Sequence, residues 1–256
     1  MSSLYRSILN VQVSSFENLY SFDFDGSTDY VDMGPPSNLN FDADNPFSIS
    51  VWFKRPSDTN TFAIVSKALG SPDNNGYILF VYNNKVYFRI RRNALLQHQI
   101  ISNNTHPFNT WVHYVVTYDG SRSGSGQGLN LYQDGIKLTN VQKSGNFANG
   151  SAQTSANFSV GSRESTTDLF FNGNIDEVSV FNSELSASDV TSIYNGGVPN
   201  NLNDLSNPPL SWWRMGEDAN YAGGAWTLTD QGSGGNNGTS STLPAPPTQP
   251  STDVPT

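Results

Sequence analysis

The chain has 256 residues, 13 basic and 22 acidic, a formal net charge of −9 and no cysteine. An acidic chain is a poor match for a nucleic-acid backbone, and without thiols there is neither a disulfide scaffold nor thiolate chemistry. Charged residues are only 14 % beside 22 glycines and 14 prolines, a balance that suits many short strands joined by turns. No apolar run approaches the roughly 18 residues of a membrane span, so membrane insertion is not expected.

Residues 1–20 alternate weakly at Leu9, Val11 and Val13 and contain no turn chemistry. They read as an N-terminal arm or edge strand able to add to a neighbour's sheet. They lack a basic region followed by a continuous apolar run, so no secretory signal is expected there. The stretch FDFDGSTDYVDMG, residues 22–34, then packs a strand, a glycine turn and a second strand around two aspartates. Phe22 and Phe24 face one way and Asp23 and Asp25 the other, which delivers Asp25 to the strand end. Gly26 permits the reversal, and Tyr30, Val31 and Met33 resume an extended pattern. Asp25 and Asp29 therefore share a turn beside an aromatic face, where carboxylates need a cation, hydrogen bonds or water.

Ile49, Val51 and Phe53 alternate in FSISVWFKRP, and Pro56 closes that strand. YILFVYNNKVYFRIRR predicts a hairpin that turns at Asn83-Asn84, with Ile78, Phe80 and Tyr82 alternating before it and Val86, Phe88 and Ile90 after it. TWVHYVVTYDG is apolar on both faces, as a central strand between covered layers must be. GLNLYQDGIKL predicts a second hairpin with a two-residue turn at Asp134-Gly135. FSVGS and FFNGNIDEVSVFN supply two more strands. One helix is expected over residues 187–195, with Ser186 and Asp189 as its capping pair and Gly196-Gly197 ending it. LSWWRMGEDA begins a further strand, residues 221–239 are rich in Gly and Asn, and residues 241–256 form a Pro/Thr-rich tail, extended and disordered alone.

Across residues 20–240, the succession FDGSTDYVDMG, FSISVWFKRP, TWVHYVVTYDG, LYQDGIKL and NGNIDEVSVFNSELSASDVTSIYNGG resembles the laminin-G-like family of concanavalin-like jelly rolls. The resemblance implies an all-β, two-sheet antiparallel jelly-roll sandwich, often a calcium site at its rim, and binding rather than catalysis. One block departs from the pattern: WWRMGEDA resembles an element that commonly precedes the FDG strand, yet here it follows the helix. Either it completes the same sandwich over residues 210–240 or a truncated second module begins there. Forty residues of Gly and Asn are too few for a second core, which favours the single domain 21–240.

Asp176 shares the strand phase of Val178 and Val180, so its carboxylate is expected to face the side they bury. In the family arrangement this strand runs beside the opening one. Asp176 would then join Asp25 or Asp29, with backbone carbonyls near Gly26 to Thr28, as a structural calcium site. The alternative is that Asp176 accepts backbone hydrogen bonds and Asp25 caps its own turn. Glycoside hydrolysis needs two carboxylates on one strand face, but Asn174 and Val178 stand where the two glutamates of a Glu-x-Asp-x-Glu strand belong. His98, His106 and His113 lack zinc-ligand spacing and read as core or solvated residues.

Trp52, Tyr87 and Tyr132 fall out of phase with their strands' aliphatic residues and are candidates to present rings to a sugar, or else to lie under a loop or a partner subunit. Arg89, Arg91 and Arg92 form the basic cluster, either a charged edge or an anchor for an acidic partner or glycan. Three function classes follow. The first is a non-enzymatic structural or attachment protein on a virion surface, of a bacterial virus, docking to other virion proteins or to copies of itself through the arm. The second is an extracellular, lectin-like carbohydrate-binding module, and the third, disfavoured, is a glycan-processing enzyme.

Overall fold

The computed structural model describes residues 16–57, 60–70, 73, 75–92, 96–121, 126–145, 151–164 and 168–256; residues 1–15 of the expected arm lie outside them. β1 (Phe22–Asp25) buries Phe22 and Phe24 and turns Asp23 and Asp25 outward, and β2 (Val31–Asp32) follows the Gly26 turn. β3 (Phe47–Lys54) and β4 (Phe62–Ala68) are buried on both faces. β5 (Gly76–Tyr82) and β6 (Lys85–Arg91) form the predicted hairpin. Asn83 and Asn84 take φ of 48° and 61°, the left-handed pair that a type I′ turn requires. β7 (Gln97–Ser102) and β8 (Val112–Tyr118) precede the second hairpin, β9 (Leu129–Gln133) and β10 (Ile136–Lys137), which turns at Asp134-Gly135. β11 (Val141–Gly145), β12 (Ser159–Val160) and the long β13 (Asn172–Phe181) come next. After the helix α1 (Ala187–Tyr194) the chain adds β14 (Ser211–Trp213), β15 (Ala219–Ala222), β16 (Ala225–Leu228) and β17 (Gly238–Ser240).

These strands make two antiparallel sheets, one ordered β1-β13-β3-β8-β9-β10 and the other β11-β7-β6-β5-β4-β12-β2-β17-β16-β15. β14 also pairs with β13, so the 210–240 region adds strands to both sheets of the one sandwich. The interior between the layers is aromatic: Phe47 stacks on Phe41 at 4.6 Å and meets Tyr77 at 5.0 Å, with Phe53, Phe88 and Trp213 fully buried nearby. Buried tyrosines still need an acceptor; Tyr77 donates to the Leu39 carbonyl at 2.8 Å and Tyr118 to that of Ala43 at 2.5 Å.

α1 carries the expected capping box, with the Asp189 N–H donating to Ser186 Oγ and the Ser186 N–H to Asp189 Oδ2. Its Val190 and Ile193 cover the outer face of the first sheet, together with Val115, Tyr132, Leu202 and Trp212. Among the described residues no helix covers the second sheet over β4–β6, where a small cluster of Ala63, Ala68, Ile78 and Phe80 lies, with Leu169 packed against it.

The tail differs from expectation. Leu243 enters the core, and Ser251 exchanges backbone hydrogen bonds with Ser21 at 2.9 and 2.8 Å. Gln249 binds both backbone groups of Asp23, and Asp253 pairs with Lys54 and accepts from Trp111 Nε1. Proline-rich sequence lacks internal hydrogen bonds, so its order here comes from the groups β1 leaves unpaired.

Candidate functional site

The three aspartates expected to share a metal are not brought together. β1 pairs Asp25 with Asn172, four residues along β13 from Asp176, a separation of about 13 Å at strand rise. Asp25 instead closes its own turn, accepting the N–H groups of Ser27, Thr28 and Asp29 at 2.8, 2.8 and 3.0 Å. Asp29 is buried and accepts the Asp25 N–H at 3.2 Å. Burial, reinforced by the Asp25 charge, pushes its carboxyl up to about 6.

Asp176 lies elsewhere because β13 is bulged. Asp176 pairs with Trp52 and Ser179 with Ser50, so β13 spends one extra residue there, and Glu177 takes a φ of 50°. The bulge returns Val178 to the core beside Ile175. It turns Asp176 and Glu177 away from that core, which corrects the phase inferred from simple alternation. Along this edge β1 pairs residues 172–175 and β14 pairs residues 178–180, leaving the bulge at the gap between two partners. The chain entering β1 and the chain leaving β14 close that gap. Asn18 Nδ2 donates to Asp176 Oδ2 at 2.9 Å, and Trp212 Nε1 donates to Glu177 Oε2 at 2.5 Å. Arg214 Nε reaches Glu177 Oε1 at 3.2 Å, and Glu217 Oε1 accepts from the Leu19 and Tyr20 N–H groups. Burial, and then mutual repulsion, holds the Asp176 carboxyl well above its usual range; burial lifts that of Glu177 to about 7 against the pull of Arg214.

The three aromatic candidates separate. Trp52 and Tyr132 are both 4 % exposed. Trp52 is sandwiched against His113 at 4.8 Å and Tyr194 of α1 at 5.7 Å, and Tyr132 packs in the cluster under the helix. Their outward phase is real, but α1 covers that face, so neither ring is offered to a ligand. Tyr87 is on the open sheet, half-buried, stacked on Phe80 at 4.9 Å and edge-on to the exposed Tyr82 at 5.9 Å.

Arg89 and Arg91 share that face. Arg89 lies 4.9 Å over the Phe80 ring, its Nε donating to Gln99 at 3.0 Å. Arg91 donates to Gln97. They line a pocket floored by Ile78, Phe80 and Leu169, and Arg163 from the segment after β12 also lines it, its guanidinium paired with Asp168 through Nε and Nη2. Arg92 lies past the end of β6 and does not line it. Burial, with Arg91 adjacent, lowers the Arg89 guanidinium to about 10, still charged at neutral pH. The pocket holds about 40 Å³, the space of roughly three waters and hence of a carboxylate. Arg163, Phe80 and Tyr82 escape a sequence reading, because only the pairing of β12, β4, β5 and β6 brings them beside Arg89. Glu177 and Glu217 escape it because a bulge and a non-consecutive strand pair assemble their cluster.

Residues 25–191 match the family described as the Concanavalin A-like lectin/glucanases superfamily, and the chain belongs to that family. No curated protein matches it in sequence. Among solved structures it is similar to a Bacteroides ovatus protein whose carbohydrate binding is itself inferred, with TM-score 0.60 and 14 % identity over 90 % of this chain and 60 % of that one. It is also similar to the CBM40 of the Ruminococcus gnavus IT-sialidase bound to α2,3-sialyllactose, with TM-score 0.53 and 13 % identity over 68 % of this chain and 96 % of that one. The receptor-binding domain of the botulinum neurotoxin C/D mosaic serotype gives TM-score 0.52 and 16 % identity over 82 % of this chain and 53 % of that one. At these identities the shared property is the fold. The chain thus spans little more than half the length of the Bacteroides and toxin chains.

Proposed function

We propose that the chain is a non-catalytic carbohydrate-binding module that takes carboxylate-bearing glycans on the outer face of its second sheet. The observation that carries this is the Arg89–Arg91 pair in the pocket over Phe80 and Ile78. Guanidinium groups recognise a carboxylate through paired hydrogen bonds, while the adjoining Tyr82 and Tyr87 offer apolar ring surface to a sugar. A pocket that admits only the acid group leaves the sugar ring lying across its mouth. The sialyllactose-bound relative has the same sandwich fold, which supports the class of ligand without fixing its site.

Hydrolysis fits the geometry poorly. Asp176 and Glu177 are 0 % and 4 % exposed, under Trp212 and the segment before β1, so a glycosidic bond has no path to both. The virion-surface setting drew in part on the arm and the Pro-rich tail; the tail is folded against β1, and the similar solved structures are described as carbohydrate-binding.

Calorimetric titration with 3′-sialyllactose, a uronic-acid oligosaccharide and neutral lactose tests the reading. An acidic glycan should bind, lactose should not, and Arg89→Ala should weaken binding at least tenfold. Equal binding of lactose, no binding of either acid, or an unaffected Arg89→Ala variant would overturn it.

A further inference from the structure

We propose that Asp168 acts on the arginine pocket as an internal competitor, filling the fork of the Arg163 guanidinium that a glycan's acid group would otherwise recruit. That role rests on the acidic-glycan reading of the pocket, and it sets how tightly such a ligand is held.

The arginines that line the pocket are engaged in two different ways. Arg89 and Arg91 donate to the neutral side-chain amides of Gln99 and Gln97, which leave the positive charge in place. Arg163 instead meets a carboxylate: its Nε donates to Asp168 Oδ1 at 2.8 Å and its Nη2 to Asp168 Oδ2. This is the paired geometry in which a guanidinium holds a carboxylate, so Asp168 stands where the acid of a ligand would. Arg163 also lies near the other cations. Burial, and after it the Arg163 charge, lowers the Arg91 guanidinium. A carboxylate offers about four lone-pair sites on its two oxygens, enough to accept from Arg163 as well as from Arg89 and Arg91.

The pair is easily released. The Arg163 and Asp168 side chains are 20 % and 42 % exposed, and an ion pair open to water is held weakly. The backbone keeps the competitor at hand: the Arg163 N–H donates to the Asp168 carbonyl at 3.0 Å, which fixes the two residues side by side. A site whose receptive state is populated only part of the time binds more weakly by that fraction. Asp168 therefore lowers the pocket's affinity through Arg163. Glu164, on the same segment, carries the same charge to a different partner. Its Oε2 accepts the Gly70 N–H at 2.7 Å, next to the Ala68 and Leu69 wall of the pocket.

The experiment is calorimetric titration of 3′-sialyllactose into the full chain, into Asp168→Asn, Glu164→Gln and Arg163→Gln, and into the Arg163→Gln/Asp168→Asn double variant. Melting temperatures check that each is folded, and Asp168→Ala takes the place of an asparagine variant that melts low. Asp168→Asn should bind at least threefold tighter than the wild type. Glu164→Gln loses the same charge from the same segment and should gain less. On the Arg163→Gln background Asp168→Asn should bring no gain, since the fork it frees is gone. If the wild type binds and Asp168→Asn binds no better, the competitor role fails while the acidic-glycan reading stands. An equal gain in Glu164→Gln, or a gain that survives without Arg163, would mean general repulsion and overturns it too. Binding that emerges only in Asp168→Asn supports the competitor and refutes the reading for the wild type. If neither protein binds the acidic glycan, both ideas fall.

Discussion

Asp25 and Asp29 close one turn from both ends: Asp25 Oδ1 accepts the Asp29 N–H at 3.0 Å, and Asp29 Oδ2 accepts the Asp25 N–H at 3.2 Å. Their carboxyls are driven apart. Burial raises both, but hydrogen bonds from Ser27, Thr28 and Asp29 outweigh it and hold Asp25 well below the usual range, while Asp29 rises to about 6. In a carboxyl-carbon NMR titration Asp29 should titrate near 6 with Asp25 ionised throughout. An acid raised on folding contributes stability below its unfolded value, and loses it as pH rises through its folded one. Asp29→Asn keeps the acceptor and removes that loss, so it should melt at or above the wild type at pH 8 and give up this advantage at pH 4.5. Asp25→Ala removes an acceptor of three N–H groups and should cost about 1–3 kcal/mol by urea denaturation.

The arginine face and the helix-covered face should respond in opposite ways to truncation. Arg89→Ala and Tyr82→Ala remove half-buried or exposed groups, so the melting temperature should move little while glycan binding falls. Trp52→Ala empties a stack between His113 and Tyr194 and should cost about 3–5 kcal/mol. If Trp52→Ala folds normally and loses only glycan binding, the assignment of faces is inverted.

The fold was legible where one face of a strand is apolar and the turn residue is specific. Asn83-Asn84, Asp134-Gly135 and the Ser186–Asp189 box each mark an element end through chemistry that few residues supply. The outward face of β5 was not, because both sides of that strand are apolar: Tyr77, Leu79 and Val81 enter the core, and Ile78 and Phe80 face outward. Period alone cannot rank two greasy faces. The candidate site was half legible. Arg89 and Arg91 stood out by charge and Tyr87 by phase, but whether a face is covered depends on where α1 lands, which separated Tyr87 from Trp52 and Tyr132. Asp176 was misplaced for a local reason, since one inserted residue in β13 reverses every phase argument after it.

His113 and His106 give the chain an acid sensitivity that buried carboxyls conceal. Burial lowers both rings to about 3, and the Arg55 charge adds to this at His106. His113 is held by Ser50 Oγ at 2.7 Å under the Trp52 stack. A base depressed on folding contributes stability above its unfolded value near 6.5, and loses it as pH falls toward its folded one. Glu177, raised to about 7 by burial, works in the opposite sense, contributing below about 4.5 and losing that as pH rises through 7. Between pH 5 and 6.5 the terms oppose, so wild-type stability should be nearly flat. Asp29 and Asp176, also raised by burial, oppose the histidines in the same way, so Glu177→Gln removes one of the opposing acids, and its urea midpoint should climb more steeply with pH than the wild type's across that window. The His113 ring resonance should stay unshifted from pH 7 to 4.5, and a titration midpoint near 6.5 would refute its burial.

Gln249 acts on β1 as a missing strand would. Its Oε1 accepts the Asp23 N–H at 3.2 Å and its Nε2 donates to the Asp23 carbonyl at 2.6 Å, while Ser251 serves Ser21 two residues earlier. β1 is the end of the first sheet, and an end strand with free backbone groups invites pairing with another chain. Gln249→Glu keeps the shape but sets an acceptor against the Asp23 carbonyl, and should cost about 1–3 kcal/mol. Deleting residues 244–256 strips both the Gln249 and Ser251 contacts and the Asp253 pair with Lys54. The truncated chain should melt lower and associate with rising concentration, as light scattering would show. If it stays monomeric at the wild-type melting temperature, the tail does not protect that edge and its order in the fold serves no such end.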